Sequence, residues 1–278
     1  MGKLFLNGEL VDGGSVTQSL LSRGFAFGFG VFETMKFLDK SPCFFGEHLQ
    51  RLRKGLDGAG LAVSIDETSL RTQAKRLFEV EGVSEGVFKI VISDDGERPL
   101  VAMFIRSKGA SIEPEPSRLV MSAVVKASQA FTSRNKSLNY MESVLELDRA
   151  KSAGFSECVF RNELGELTEC AVANLFFVQE GILKTPALDC GLLNGIVRRK
   201  VIEISRSLGM TFEEGRFTEE DLLAASEVFL TSSGAGPCSA ESFQSSSGQR
   251  VRYSQSLLPG LRESFLKLER EEGLSGHD

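Results

Sequence analysis

The sequence predicts an α+β protein, helices and strands mixed, folded as two domains. Three observations carry this. Hairpin signals alternate with helical periodicity along the chain. The stretch Ser107–Ser117 holds two of the seven prolines and separates two such patterns. The 278 residues suffice for one large or two small domains with a sizeable core.

In chain order, Leu4–Leu6 and Leu10–Val11 flank Asn7-Gly8, a tight-turn pair, and predict a hairpin. Arg23-Gly24-Phe25-Ala26-Phe27-Gly28-Phe29-Gly30 reads as a loop whose glycines let backbone approach something closely; an aromatic plug beside a turn is the plainer reading. Val31–Leu38 is a strand, and Glu47–Ala59 repeats Leu49, Leu52 and Leu56 at helical spacing. Ser64-Ile65-Asp66-Glu67 is a capping box opening a helix that buries Leu70, Ala74, Leu77 and Phe78. Val87–Ile92 and Leu100–Ile105 are strands around a charged turn. Beyond the linker, Leu119–Val125 is a strand and Ala127–Lys136 a polar loop. Tyr140–Ala153 is an amphipathic helix with Tyr140, Met141, Val144, Leu145 and Ala150 inward, ended by Gly154. Hairpins follow around Asn162–Gly165 and Glu180-Gly181. A helix starts near Leu192–Arg198 and runs to Leu208, Thr218 caps a short one, and Glu227–Thr231 is a strand. Ser232–Gly248, rich in serine and glycine, reads as a surface loop, and Leu257–Glu272 as a closing helix.

Composition narrows the function. The chain is 41% hydrophobic and 25% charged, as soluble globular proteins are. Its net charge of −6 gives no reason to expect nucleic acid as a partner. No apolar run approaches a membrane span, and the N-terminus turns polar too soon for a signal peptide, so the cytoplasm is the expected location. Five scattered cysteines without Cys-x-x-Cys predict reduced, mostly buried thiols. His48 and His277 are the only histidines, which leaves a histidine triad or a histidine-rich metal site almost nothing to draw on; no metal is expected. Lysine, carboxylate, tyrosine or a cofactor remains to move protons.

Several residues could supply such chemistry. Lys136 stands between a polar loop and a helix, and Glu169 ends a strand. Gly195-Ile196-Val197 opens a helix whose first N–H groups could hold an anion. Ser232-Ser233-Gly234 could form an anion nest after a strand, and Arg51 lies in a helix. Taken singly, each has a plainer reading: a solvated lysine, an edge carboxylate, an ordinary helix start, a flexible loop and a surface ion-pair arginine.

Taken in order, the motifs say more. Lys136-Ser137-Leu138-Asn139-Tyr140, Thr168-Glu169-Cys170-Ala171-Val172-Ala173-Asn174-Leu175-Phe176 and Asn194-Gly195-Ile196-Val197-Arg198 resemble the fold-type IV pyridoxal-phosphate enzymes, the class IV aminotransferase family. Phe27–Thr34 and Glu47–Leu52 support the resemblance, which spans roughly Leu4–Leu266. It implies an N-terminal α/β sandwich domain over 1–110, a linker over 111–117, and a C-terminal pseudo-barrel domain over 118–278 that carries the lysine. It implies pyridoxal 5'-phosphate in the cleft between them, a small-molecule amino substrate, and a homodimer whose partner helps wall the site. Lys136 would be the Schiff-base lysine and proton shuttle, and Glu169 would bind the pyridine nitrogen. Arg51, Ser233 and the N–H groups of Ile196 and Val197 would hold the phosphate, with Asn174 near the ring. The chemistry asks for these residue types: an amine that can lose its proton near neutral pH, and an acid that keeps the heterocycle cationic so that it accepts carbanion electrons.

The family contains branched-chain aminotransferases, D-amino-acid aminotransferases and 4-amino-4-deoxychorismate lyases. The motifs look most like the lyase branch, which would release pyruvate and 4-aminobenzoate, a folate precursor. Three positions depart from the patterns. Lyases usually carry an Arg-Gly…Arg-Gly-Tyr run where this chain reads Asp94-Asp95-Gly96-Glu97-Arg98-Pro99-Leu100. Phe29 replaces the usual aspartate, and Leu100 removes the Arg-x-His carboxylate trap of D-amino-acid aminotransferases. Phe25, Phe27 and Phe29 would suit a branched-chain substrate. The expectations are therefore a lyase first, an aminotransferase second, and last a non-catalytic relative that binds a partner.

Overall fold

The computed structural model describes residues 2–109 and 114–275, the side chains of residues 274 and 275 excepted. The chain clusters as two units. The first comprises Met1–Ile112, Asn135–Asn139 and Lys267–Asp278; the second comprises Glu113–Arg134 and Tyr140–Leu266.

The first unit is built on one sheet. Its strands are β1 (Lys3–Leu6), β2 (Glu9–Asp12), β3 (Gly30–Leu38), β4 (Ser41–Pro42), β5 (Gly86–Asp94) and β6 (Pro99–Lys108), with helices α1 (Arg23–Phe27), α2 (Phe45–Ala59) and α3 (Glu67–Val80). Sheet order is β2-β1-β6-β5-β3-β4. The β1–β2 hairpin turns at Asn7 and Gly8, both with positive φ, as the Asn-Gly pair predicts. Alternation along β3 sorts its residues between two faces. Val31, Met35 and Phe37 face the helices, where Phe37 stacks on Phe78 of α3 with ring centroids 3.8 Å apart and Phe88 of β5 meets Phe78 edge-on at 5.1 Å. Phe32, Thr34 and Lys36 take the opposite face, where Lys36 pairs with Glu269 at 2.7 Å.

The segment carrying Lys136 belongs to this sheet. Phe32 N–H donates to Lys136 O and Leu138 N–H to Gly30 O, each at 2.9 Å, so residues 136–138 pair along β3 on the side away from β5. The sequence reading put this lysine in the C-terminal domain; these bonds group it with the first unit. Of the expected linker 111–117, residues 111–113 lie outside the described residues, and β7 begins at Ser117.

The second unit holds strands β7 (Ser117–Lys126), β8 (Glu157–Asn162), β9 (Leu167–Cys170), β10 (Asn174–Gln179), β11 (Ile182–Pro186), β12 (Phe212–Gly215), β13 (Glu227–Ser232), β14 (Gly236–Gln244) and β15 (Arg250–Arg252). Its helices are α4 (Phe131–Arg134), α5 (Met141–Ser152), α6 (Ile196–Ser207) and α7 (Glu219–Ala224), and α8 (Leu258–Ser275) closes the chain. The strands form one sheet in the order β12-β11-β10-β13-β14-β7-β8-β9, with β15 on β14. The sheet curls until Cys170 N–H of β9 donates to Ala173 O at the head of β10. Leu119, Val159, Leu167, Leu175, Phe177, Leu230 and Phe243 fill the enclosed core, which is the expected pseudo-barrel.

Four local expectations are corrected. Arg23–Phe27 is a short helix, because Ser22 Oγ accepts from Phe25 N–H and Gly28 closes the turn at φ 61°. The second helix of the first unit is capped by Asp66, whose carboxylate accepts from Thr68 and Ser69 N–H, and not by Ser64. Helix α5 turns Ser143, Glu146 and Ala150 inward and leaves Met141, Val144 and Leu145 exposed, because buried Glu146 reaches Ser122 Oγ at 2.6 Å on β7. Gly236–Gln244, within the expected loop, is a strand between β13 and β7; its Pro237, Cys238, Ala240 and Phe243 are buried.

All five cysteines are free and buried. Burial pushes the thiols of Cys43 and Cys158 up to about 12, Cys190 to about 11, and Cys170 well above the ordinary range. The aromatic core of the first unit gives a direct test. Phe78→Ala leaves a cavity under Phe37 and Phe88, with an expected loss of about 3–5 kcal/mol in urea unfolding; a loss under 1 kcal/mol would show that the stack is not structural.

Candidate active site

Two groups of polar side chains gather the candidate residues, one in each unit. In the first, Lys136 is half-buried, and its Nζ lies 4.6 Å from the centroid of the Phe32 ring. Antiparallel pairing across β3 places both side chains on the same face of the sheet. On the opposite face, Glu33 is fully buried between α2 side chains. Arg51 grips it with two bonds, Nε to Oε1 and Nη2 to Oε2, each 2.7 Å, and His48 Nδ1 meets Oε2 at 2.7 Å. Burial pushes the Glu33 carboxyl up, but the charges and hydrogen bonds of Arg51 and His48 outweigh it and bring it to about 2. Burial depresses His48 against the pull of Glu33, and the positive charges of Arg51 and Lys136 depress it further. Two glycines of the preceding motif are required by close approach: a Cβ would lie 2.5 Å from Asp94 O at Gly24 and 2.4 Å from Ile92 O at Gly30.

In the second unit, Glu169 is the focus. Its Oε1 accepts from Lys126 Nζ at 3.1 Å; its Oε2 accepts from Leu193 N–H at 3.0 Å and from Asn174 Nδ2 at 3.4 Å. Lys126 is buried and lies 4.3 Å over the Phe160 ring. Asn174 Nδ2 also donates to Leu193 O at 2.8 Å. Gly195, next along, has no room for a side chain, since a Cβ would fall 2.0 Å from Asn174 Oδ1. It is the N-cap of α6 and offers no capping side chain, so the first N–H groups of this twelve-residue helix, including Ile196 and Val197, are not capped by it. Thr231 stands opposite Asn174 in the β10–β13 register. Its hydroxyl is buried and has no hydrogen-bond partner. Ser233 follows in the half-buried turn that leaves β13.

The structure thus brings Glu169, Asn174 and the start of α6 together, and it sets Lys136 against Phe32 and Arg51 against Glu33, neighbours on β3 whose side chains lie on opposite faces of the sheet. Sequence reasoning missed Glu33, His48, Lys126 and Thr231. Glu33 had a signal: it is a carboxylate on the apolar face of a strand between Val31 and Met35, and His48 and Arg51 are spaced i, i+3 on the facing helix. Lys126 had none, because its partner lies 43 residues away.

Residues 30–242 match the model of the family described as amino-transferase class IV. The chain belongs to this family. Its members are pyridoxal-phosphate-dependent enzymes, and the chain is one of them. Among curated relatives, it is 25% identical over 243 residues to the aminodeoxychorismate lyase of Bacillus subtilis, with 83% of both chains covered. It is 26% identical over 247 residues to the D-alanine aminotransferase of Bacillus licheniformis, covering 84% of this chain and 85% of that one. Solved structures share the fold. The branched-chain aminotransferase of Thermoproteus uzoniensis superposes with a TM-score of 0.89 at 24% identity, covering 99% of this chain and 97% of that one. A structure described as a putative 4-amino-4-deoxychorismate lyase from Legionella pneumophila gives 0.83 at 23%, covering 93% and 97%. The second unit's donor set fits the family's cofactor: an uncapped helix start and an orphan hydroxyl suit a phosphate, and a held carboxylate suits a protonated ring nitrogen.

The Glu33 cluster is testable without any ligand. Glu33→Ala leaves Arg51 without its buried counter-charge, with an expected loss of about 3–5 kcal/mol in urea unfolding. The folded carboxyl lies near 2, against an ordinary 4.5, so its contribution is complete above pH 4.5 and lost as pH falls through 2. Wild-type stability should therefore drop across that window by on the order of 3 kcal/mol more than that of Glu33→Gln. Parallel pH profiles would contradict the assignment.

Proposed function

We propose that this family enzyme is a 4-amino-4-deoxychorismate lyase, releasing pyruvate and 4-aminobenzoate in folate synthesis. The observation that carries the reading is the run Thr168–Phe176, in which Glu169 is fixed by Lys126, Leu193 N–H and Asn174. The likeness to the lyase of Bacillus subtilis over most of both chains supports it. In this reading Lys136 is the amine that takes the cofactor's aldehyde, and Glu169 meets the pyridine nitrogen. Arg51, Ser233 and the N–H groups of Ile196 and Val197 hold the phosphate, and Asn174 keeps Glu169 aimed. When bound, pyridoxal phosphate supplies an electron sink for the charge left on the substrate as a proton departs. Lys136 removes a ring proton from the substrate as general base, and loss of pyruvate leaves an aromatic product. The Phe32 ring beside Lys136 Nζ orients the amine and excludes water from one side of it.

An aminotransferase acting on an amino acid is the second reading, supported by the likeness to D-alanine aminotransferases. We infer a homodimer working in the cytoplasm; the exposed Phe25 and Phe27 of the first unit and Met141, Val144 and Leu145 of the second support the dimer. Sedimentation should give twice the chain mass; a monomer at micromolar concentration would remove that part.

Incubation with aminodeoxychorismate should yield pyruvate and 4-aminobenzoate. Amino transfer from an L- or D-amino acid to an oxo acid, without those products, would establish the second reading instead. Lys136→Ala should lower turnover at least about 10²-fold, because the proton carrier is gone. It should also abolish the cofactor adduct fixed by borohydride; an undiminished adduct would overturn the role of Lys136. Glu169→Ala should cost turnover far more than it costs folding, with unaltered activity as the contrary result.

A further inference from the structure

A buried carboxylate holds the connection that joins Glu169 to Asn174. Glu157 opens β8 and is 4% exposed. β8 and β9 pair antiparallel through Val159 and Cys170, so Glu157 falls opposite Val172, where β9 has already ended. There its side chain accepts the hydrogen bonds that a strand partner would otherwise accept. Oε1 accepts from Ala171 N–H at 3.0 Å and from Cys158 N–H at 2.9 Å, and Oε2 accepts from Val172 N–H at 3.4 Å. Cys170 N–H donates to Ala173 O at 2.8 Å, so the reversal is tight. The Ala171 side chain is pinned as well, buried with Ala150, Cys158 and Phe160.

Backbone N–H groups, and no counter-charge, hold this acid. The ionisable groups around it are Lys151 and Glu146 on α5, Arg118 and Lys126 on β7, and the thiols of Cys158 on β8 and Cys170 on β9. Lys151 and Arg118 are exposed, Lys126 is taken by Glu169, and Glu146 by Ser122 and Arg149. Among the described residues no ion pair reaches Glu157. Burial pushes its carboxyl up to about 7, against the pull of the three N–H groups and Lys151. The folded value lies above the ordinary 4.5, so the ionised form costs stability; the cost is absent below 4.5 and complete once pH has risen through 7. Stability alone would favour a neutral side chain. A glutamine, however, has one acceptor oxygen and turns an NH₂ donor towards N–H donors, whereas the carboxylate accepts from all of them at once.

We propose that Glu157 is a positioning residue: by clasping Ala171 and Val172 N–H, its carboxylate sets the spacing and aim of Glu169 and Asn174 on either side of them. The inference rests on the reading of Glu169 as the acid that meets the pyridine nitrogen, and deepens it. Glu157 touches no reacting atom and acts through the connection alone. Ionised, it holds Ala171 and Val172 in place. Protonated, it brings an O–H donor among N–H donors, and the connection gains freedom.

The test loads wild type, Glu157→Gln and Glu169→Gln with pyridoxal phosphate carrying nitrogen-15 in its ring, whose chemical shift reports protonation of that nitrogen without turnover. Above pH 7 the wild-type signal should be that of a protonated ring, and both variants should move towards the unprotonated position. A Glu169→Gln signal equal to wild type removes the underlying reading, and the inference with it. A shifted Glu169→Gln signal beside an unshifted Glu157→Gln signal removes the inference alone. Glu157→Gln should also bind the cofactor about tenfold more weakly above pH 7, the usual size for a residue that orients a ligating group. That gap should close as pH falls through 7, where wild type too carries a neutral side chain; a gap independent of pH overturns the role of the carboxylate. Wild type alone decides if Glu157→Gln does not fold. With nitrogen-15 alanine and valine, the Ala171 and Val172 amide signals should titrate with a midpoint near 7, and signals that stay fixed through that pH overturn the clasp.

Discussion

The antiparallel pairing of Phe32 with Lys136 is the constraint on which the first unit's chemistry depends. Two backbone bonds, Phe32 N–H to Lys136 O and Leu138 N–H to Gly30 O, set the register. A slip of one residue would turn the lysine to the opposite face and put Ser137 in its place. The same alternation on β3 sends Glu33 to the helices, where Arg51 and His48 enclose it. One strand therefore separates two groups: the buried Glu33 cluster on one face and, on the other, Lys136 beside the Phe32 ring. Gly24 and Gly30 serve this arrangement, because only residues without Cβ let the neighbouring chain lie so close to β5.

The second unit solves a different problem, holding one carboxylate still. Asn174 does this by bonding at once to Glu169 and to Leu193 O, while Gly195 gives way to its amide oxygen. Strand, loop and helix start are thus tied to one side chain. Lys126 takes the other carboxylate oxygen, so Glu169 approaches any partner with its orientation already set. In the proposed role, an acid preset in this way loses less orientational freedom when the pyridine nitrogen arrives.

The sequence made most of the elements legible where local chemistry decides them. Asn7-Gly8, Glu180-Gly181 and Thr218 act through neighbours within four residues, and the structure agrees with all three. It was less informative where long-range pairing decides. Gly236–Gln244 has the composition of a loop and becomes an interior strand because β13 and β7 flank it. The inward face of α5 is polar because Ser122 waits for Glu146, and an apolar count along the helix points to the wrong side. For the site, ordered motifs pointed to Lys136, Glu169 and Arg51. Of the residues that orient them, Glu33 is marked by lying on the apolar face of β3, whereas Lys126 is visible only in three dimensions, its partner being 43 residues away.

The burial of all five thiols has a practical consequence. Nucleophilic sulfur requires the thiolate, and four of these groups are pushed far from forming it near neutral pH while their side chains are shut away from solvent. Alkylating reagents and mild oxidants therefore find no ready target on the native molecule. The rate at which such a reagent is consumed reads out how often each part of the chain opens, with Cys43 reporting on the first unit and Cys158, Cys170 and Cys190 on the second.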